Sequence, residues 1–187
     1  MLDRRAARKA LRLGRGNHCL VSLGSDAFSD MSHLIRHLID AAQKARVRLV
    51  WARSPLAAPD RDIATNPLIT TCSLYPLAPY LAAFDGVVSS AGYNSFHELM
   101  QLCDRPVLFT PRQHVALDDQ EARAAFAAGQ GWARHADASM NEQASVTSFM
   151  DEIRAGKAVT GRPAWRDGAA EIAQMLLELI AKGNAQP

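Results

Sequence analysis

The 187-residue sequence predicts an α/β fold, in which an open parallel sheet carries helices on both faces. Predicted strands alternate with predicted helices along the chain, and no hairpin signal such as Asn-Gly joins two strands. The first predicted strand, His18–Leu23, has the apolar run of a strand that is buried on both faces. These observations indicate right-handed βαβ units and therefore a Rossmann-like sheet.

Six strands are predicted from short apolar or β-branched runs that end in turn residues. Pro76 indicates the end of the third strand, because proline cannot donate a hydrogen bond to a β-ladder and favours a turn there. The predicted strands are His18–Leu23, Arg46–Ala52, Leu68–Cys72, Gly86–Ser89, Pro106–Thr110 and Gly131–His135.

Helices are predicted where apolar residues recur three and four positions apart. The helix after the first strand begins near Ser29 or Asp30, with Asp30 as candidate N-cap, and ends at Lys44. Gly14 and Gly16 are expected to end the first helix of the chain. The other predicted helices are Asp3–Leu13, Leu77–Ala83, Asn94–Leu102, Asp119–Ala128, Asn141–Ala155 and Gly168–Lys182.

Composition and charge exclude several classes of protein. A hydrophobic content of 48% and a charged content of 21% exclude intrinsic disorder. The first fifteen residues hold six basic side chains against one acidic one, whereas the rest of the chain is net acidic, which argues against a nucleic-acid-binding domain. No apolar run is long enough for a membrane span or a signal peptide. The three cysteines are widely spaced and two lie in apolar stretches, so reduced core cysteines and a cytoplasmic protein are expected. We divide the chain into a basic leader or linker, residues 1–16, and one domain, residues 17–187.

Ligands of an open parallel sheet bind beyond the carboxyl ends of its strands. The turn after the first strand contains Gly24 and Ser25 but lacks the Gly-x-Gly-x-x-Gly pattern, which disfavours dinucleotide binding. No Gly-x4-Gly-Lys-Ser/Thr motif occurs either, which excludes a P-loop.

The turn after the fourth strand, Ser89–Ser95, predicts an anion site. A small-residue turn that opens a helix directs unpaired N–H groups at one point, as phosphate binding requires. Gly92 would allow close approach of a ligand, and Asn94 or Ser95 would cap the helix or bind phosphate. Glu98, one helical turn further, suits a ribose diol. The alternatives are that Gly92 only forms the turn, that Asn94 only caps, and that Glu98 is a solvated carboxylate.

The turn after the fifth strand is a long polar loop that leads into a helix. Asp119 and Gln120 begin that helix and offer the acceptors and the amide donor that reading sugar hydroxyls requires. Arg123 would reach a phosphate or pair with Asp119. The alternative is a simple N-cap by Asp118 or Asp119.

These motifs resemble the C-terminal, nucleotide-sugar-binding half of GT-B glycosyltransferases, and most closely glycosyltransferase family 28, which includes the lipid II-forming UDP-N-acetylglucosamine transferase. The resemblance is carried by Asp85–Glu98 (DGVVSSAGYNSFHE), Arg105–Pro111 (RPVLFTP) and Asp118–Ala124 (DDQEARA). It implies one Rossmann-like half of a GT-B fold that binds a UDP-sugar donor.

The resemblance also implies a role for individual residues. The diphosphate would lie at the turn formed by Gly92, Tyr93, Asn94 and Ser95, and Glu98 would bind the ribose. The backbone near Leu74 would read the uracil edge, and Gly24 and Ser25 would lie near the phosphates or the acceptor. Asp119 and Gln120 would face the donor sugar. Arg123 departs from the family, whose lipid II-forming members have Asn there, so the identity of the sugar stays open.

A metal-independent, inverting transfer of the sugar is the implied mechanism, with no cofactor. The catalytic base is expected in an N-terminal acceptor-binding half, which this sequence does not contain. The resemblance therefore implies that the chain is an excised domain, one subunit of a split enzyme or a degenerate binding protein. A nucleotide-sugar hydrolase or epimerase with His114 as base, and a non-catalytic interaction domain, are the alternative functions. The basic leader also suggests peripheral contact with the inner membrane leaflet, against the alternative of a solvated linker helix.

Overall fold

The computed structural model describes residues 1–24, 32–53, 63, 65–111, 118–137, 141–159 and 168–183. Within them lie six strands: β1 Asn17–Ser22, β2 Val47–Ala52, β3 Ile69–Cys72, β4 Gly86–Ser89, β5 Val107–Phe109 and β6 Arg134–His135. The α-helices are α1 Arg4–Ala10, α2 Ser32–Ala45, α3 Tyr93–Leu102, α4 Gln120–Gly129, α5 Glu142–Arg154 and α6 Gly168–Gly183. A 3₁₀ helix spans Ala78–Ala83.

All six strands belong to one parallel sheet in the order β3-β2-β1-β4-β5-β6. This is the strand order of a Rossmann-like fold, in which the chain reverses its direction of winding between β1 and β4. The predicted fold class is confirmed.

Each central strand contributes side chains to two separate cores, one on each face of the sheet. On one face, Val21 and Val88 pack with α2 and α5. On the other face, the neighbouring residues Leu20 and Val87 pack with α1, the 3₁₀ helix, α3 and α4. This alternation follows from the two-residue period of a strand and explains why the strands are apolar throughout. Cys19 is fully buried in the first core.

Two predicted boundaries are wrong, and a third is not tested. The first helix ends at Ala10, before the glycines that were expected to end it, because Arg12 adopts a positive φ of 54°. The last strand is confined to Arg134–His135, because Gly131, at a φ of 72°, still belongs to the turn that ends α4. The N-cap predicted at Asp30 lies outside the described residues.

The leader helix α1 packs against the domain. Ala7 is fully buried in the core that α1 shares with the 3₁₀ helix. Asp85, immediately before β4, accepts hydrogen bonds from Arg4 at 2.5 Å, from Arg8 at 2.8 Å and from the backbone N–H of His18 at 2.9 Å. Two of the basic leader residues thus bind the domain itself.

Gly86→Ala is expected to destabilise the protein. A Cβ atom at Gly86 would lie 2.5 Å from Cδ1 and 2.7 Å from Cγ1 of Ile153, a buried residue of α5. Relieving that overlap requires movement of a packed helix, which costs about 1–3 kcal/mol of unfolding free energy. Gly129→Ala is the matched control, because nothing lies within 4 Å of its added Cβ. Equal urea midpoints for the two variants would contradict this packing of α5 on β4.

The free energy of unfolding is also expected to decrease at pH values below about 6.5, because His18 resists protonation in the folded protein. Burial, together with the nearby Arg8 guanidinium, lowers the pKa of His18. The unfolded chain therefore binds a proton that the folded chain resists, so stability is complete above the ordinary histidine pKa and declines as the pH falls below it. Urea unfolding at pH 7.5 and pH 5.5 measures this loss, and His18→Gln should reduce it. An unchanged pH dependence in that variant would contradict the assignment.

Candidate functional site

The candidate site lies at the carboxyl edge of the sheet, where β1 and β4 are neighbours. After β1 the chain continues to α2 on one face, and after β4 it continues to α3 on the opposite face. Two neighbouring strands whose chains leave in opposite directions open a crevice between them. Gly24 follows β1 and Gly92 follows β4, so both predicted turns border this crevice.

The N-terminus of α3 has no capping side chain. Gly92 occupies the N-cap position without a side-chain hydrogen bond, and its carbonyl accepts the first helical bond, from Phe96 N–H at 2.8 Å. The N–H groups of Tyr93, Asn94 and Ser95 consequently have no intrahelical acceptor. Added to the helix dipole, they give this point a partial positive charge. A Cβ at Gly92 would meet no atom within 4 Å among the described residues, so the space in front of the turn is open.

Polar side chains follow on the same helix. Asn94 and Glu98 are exposed and Ser95 is half-buried, and among the described residues none of their side chains has a hydrogen-bond partner. Glu98 lies four residues after Asn94, on the same side of the helix. Phe96, Leu99 and Met100, which are three and four positions apart on the helix, are buried and pack it against the sheet. The polar side of α3 is therefore available to a ligand.

Two serines are the last residues of the two strands beside the crevice. Ser22 and Ser89 are in register on β1 and β4. By the two-residue alternation, both lie on the face that carries α3. Ser89 is fully buried, and within the described chain its Oγ has no hydrogen-bond partner. A buried hydroxyl without a partner is costly, so a polar ligand or a water molecule is expected to contact it.

Leu74 follows β3, at the same edge of the sheet but three strands away from β4. Three strand spacings separate the two strand ends by about 14 Å. The 3₁₀ helix that follows this segment packs against α3, which brings the two regions together across one face. A ligand that reaches from Gly92 to Leu74 must therefore be extended.

The N-terminus of α4 is tied to the turn before α3 by Arg123. Its Nε donates to the carbonyl oxygen of Ala91 at 3.0 Å, and its guanidinium carbon lies 6.0 Å from the centre of the Tyr93 ring. Asp118 forms an ion pair with the same guanidinium and accepts a hydrogen bond from Gln120 Nε2 at 3.1 Å. Arg123 and Gln120 thus share one carboxylate.

Two capping and pairing predictions are wrong. Neither Asn94 nor Ser95 caps α3, because the helix already begins at Tyr93. Arg123 pairs with Asp118 and not with Asp119, because the Asp119 side chain is the N-cap of α4 and accepts from Ala122 N–H at 2.9 Å. The N-cap alternative for Asp119 is confirmed.

Two predicted residues lie outside the described residues, namely Ser25 and His114. The remaining ones all lie at the carboxyl edge of the sheet. Sequence reasoning missed three features of the site: the in-register serines, the bond from Arg123 to Ala91, and the left-handed backbone of Ala91 at a φ of 61°. None has a local sequence signal, since each depends on residues that the fold brings together.

Other features of the described chain lie apart from this edge. A cavity of about 200 Å³ lies beside Trp132 and Lys157, near the start of β5. His37, one of two histidines four apart on α2, pairs with Glu142 at 2.9 Å. No group of three His, Cys, Asp or Glu side chains within the described ranges is arranged to hold a metal ion. Where the structure describes helices, none has the length and apolar character needed to cross a bilayer.

The sheet order and the crevice define a Rossmann-like domain of the kind found in GT-B glycosyltransferases. No family model and no curated protein matches the sequence. The fold, however, is similar to solved glycosyltransferase structures. CalG4, the calicheamicin glycosyltransferase, gives a TM-score of 0.63 at 17% identity, over 91% of this chain and 45% of its own.

Two plant structures are also similar. Os79 from O. sativa, in complex with U2F and trichothecene, gives a TM-score of 0.60 at 15% identity, over 81% of this chain and 36% of its own. Medicago truncatula UGT71G1, complexed with UDP-glucose, gives a TM-score of 0.58 at 16% identity, over 81% of this chain and 35% of its own. This chain therefore spans less than half the length of each of these proteins. The predicted resemblance to GT-B glycosyltransferases is confirmed at the level of the fold.

Proposed function

We propose that this chain is the donor-binding half of a metal-independent, inverting glycosyltransferase that uses a UDP-sugar. The observation that carries the proposal is the uncapped N-terminus of α3, with Asn94, Ser95 and Glu98 unpartnered beside it among the described residues, at the switch point of the sheet. A helix N-terminus alone is a weak indication of a ligand site. The unpartnered, fully buried Ser89 hydroxyl beside it is a second, independent one.

The ligand that fits this edge is a nucleoside diphosphate. Its anionic end would accept hydrogen bonds from the first-turn N–H groups of α3. Its ribose hydroxyls would bind the Glu98 carboxylate, one helical turn along. Its base would extend toward Leu74, over the distance that a single phosphate could not span. The solved neighbours include a complex with UDP-glucose, which favours uridine as the nucleoside.

Catalysis would then depend on stabilising the leaving group. The acceptor hydroxyl attacks the anomeric carbon, the bond from that carbon to the β-phosphate oxygen breaks, and UDP leaves with the electron pair. The hydroxyl proton passes to a base in the acceptor-binding half. N–H donors that are already oriented toward the phosphate stabilise the growing negative charge without a cation. The absence of a metal from the reaction stays a prediction.

The donor sugar is proposed to be N-acetylglucosamine or a similar hexose. This finer assignment depends on the likeness of Asp85–Glu98 and Asp118–Ala124 to glycosyltransferase family 28. Gln120 is mostly buried and held by Asp118, and Asp119 is exposed at the N-terminus of α4. Both lie at the start of a helix that borders the α3 turn, where they would face the sugar.

The proposed partner is an acceptor-binding half that covers α6. Six large apolar side chains of this helix are 54–67% exposed. They are Ile172, Met175, Leu176, Leu177, Leu179 and Ile180. Their burial would contribute about 1.5–3 kcal/mol each at full desolvation. The polar side of α6 carries Glu171 and Glu178, which disfavours an anionic membrane. An acceptor half is supported because the similar glycosyltransferases extend well beyond the part that matches this chain.

Membrane contact through the leader stays a prediction, with fewer residues to support it. Arg4 and Arg8 bind Asp85 and nearby carbonyls, whereas Arg5 and Lys9 are exposed.

Two substitutions should separate the contribution of the ribose from that of the phosphates to binding affinity. Glu98→Ala removes charge-assisted bonds to the ribose, so we expect UDP affinity to fall about 10- to 100-fold, with pyrophosphate affinity nearly unchanged. Gly92→Ala places a methyl group in front of the N–H donors and should weaken both ligands. Isothermal titration measures these affinities.

Gln101→Ala, on the same helix, is the control and should leave both affinities unchanged. The absence of UDP binding by the unsubstituted protein at millimolar concentration would refute the proposed function. Equal losses for UDP and pyrophosphate in Glu98→Ala would refute the ribose role alone.

The apolar face of α6 should not be used for self-association. If it binds an acceptor half, the chain alone is expected to sediment as a monomer, and Leu176→Glu should leave its thermal midpoint unchanged because no described core contact is lost. Leu38→Glu, in the buried face of α2, is the contrasting variant and should unfold the protein. A dimer that Leu176→Glu dissociates would instead assign the face to a second copy of this chain.

A further inference from the structure

Arg123 makes three contacts that converge on the turn between β4 and α3. Its Nε–H donates to Ala91 O at 3.0 Å, its guanidinium lies over the ring of Tyr93, and Asp118 neutralises its charge. The side chain is only 21% exposed. An arginine held in this way is bound to the protein on several sides before any ligand arrives.

Ala91, whose carbonyl oxygen accepts the hydrogen bond from Arg123, has an unusual backbone conformation. Its φ of 61° lies in the left-handed region, which residues other than glycine rarely adopt. The residue is also fully buried. Such a conformation persists where the surroundings hold it in place. Ala91 directly precedes the N-cap Gly92, so its backbone angles set the direction in which α3 leaves β4. The orientation of the first-turn N–H groups therefore depends on Ala91.

We propose that Arg123 is a positioning residue, which holds Ala91 in its left-handed conformation and thereby aims the N–H groups of α3 at the donor diphosphate. The inference rests on the proposed function, since it presumes that a diphosphate binds there. It assigns Arg123 a different role from that of a phosphate ligand. The ion pair with Asp118 supports this role, because a guanidinium already paired with a carboxylate attracts phosphate less strongly.

Asp118 extends the same network toward the sugar end of the site. One of its oxygens pairs with Arg123, and the other accepts from Gln120 Nε2 at 3.1 Å. Gln120 is the amide that we propose to face the sugar. The two ends of the donor site are thus connected through one carboxylate.

Pyrophosphate titration of Arg123→Ala tests the inference. Affinity is expected to fall about tenfold or more, and millimolar guanidinium ion should restore part of it by occupying the vacated position. A side chain that only stabilises the fold would not give this rescue. Arg134→Ala is the matched control, because Arg134 also pairs with a carboxylate, Glu152, but lies on β6 away from the turn. It should show neither the loss nor the rescue.

Asp118→Asn separates positioning from direct phosphate binding. If Arg123 were a phosphate ligand held back by Asp118, the substitution would release it and pyrophosphate affinity would rise. A positioning role predicts that affinity falls, because the guanidinium loses its anchor. Arg123→Lys provides the comparison should Arg123→Ala fail to fold, since lysine keeps the charge but cannot donate to Ala91 and Asp118 together. It is expected to bind pyrophosphate more weakly than the unsubstituted protein.

The outcomes distinguish this inference from the proposed function. Pyrophosphate binding that is unchanged in the Arg123 variants, or increased in Asp118→Asn, would overturn the positioning role while the donor site stands. A protein that binds neither UDP nor pyrophosphate would overturn the proposed function and this inference with it.

Discussion

The reversal of winding between β1 and β4 is the constraint on which the rest of the molecule depends. Because all six strands are parallel, every strand ends at the same edge of the sheet. In such a sheet, the chain leaves most neighbouring strands toward the same face, so the turns lie close together. At β1 and β4 they separate, since α2 packs on one face and α3 on the other. A separation of this kind leaves room for a ligand against backbone N–H groups.

The strands themselves were predictable because their signal is local. The apolar runs of β1, β2, β4 and β5 appear in the sequence as they appear in the sheet, and their parallel arrangement follows from the alternation of strands and helices. The turn at Gly92 was predictable for the same reason, since a helix that opens with small residues is recognisable without knowledge of the fold. The neighbouring residues Phe96, Leu99 and Met100 are buried, at the three- and four-residue spacing of an amphipathic helix.

Long-range contacts could not be predicted in this way. The leader helix looks like a charged, solvated segment in sequence, and only the fold brings Arg4 and Arg8 to Asp85, about eighty residues away. Arg123 likewise meets the carbonyl of Ala91 across a separation of 32 residues. The choice of Asp118 over Asp119 as its partner depends on which of two adjacent carboxylates caps α4, and the Asp119 side chain is that cap. Sequence patterns constrain helices and strands well and side-chain pairing poorly.

Three departures from ordinary local preference lie at this edge. Ala91 has a left-handed backbone, α3 begins without a capping side chain, and Ser89 buries a hydroxyl that has no partner in the described chain. Each feature costs stability, and elsewhere in the sheet the strands follow the alternation expected of a well-packed core. A protein retains such costs where a function compensates for them. The proposed anion at the start of α3 would supply the acceptors that the N–H groups and the buried hydroxyl lack, and Ala91 would set the direction of those N–H groups. That convergence supports the proposal of a donor diphosphate at this turn, in preference to the cavity beside Trp132.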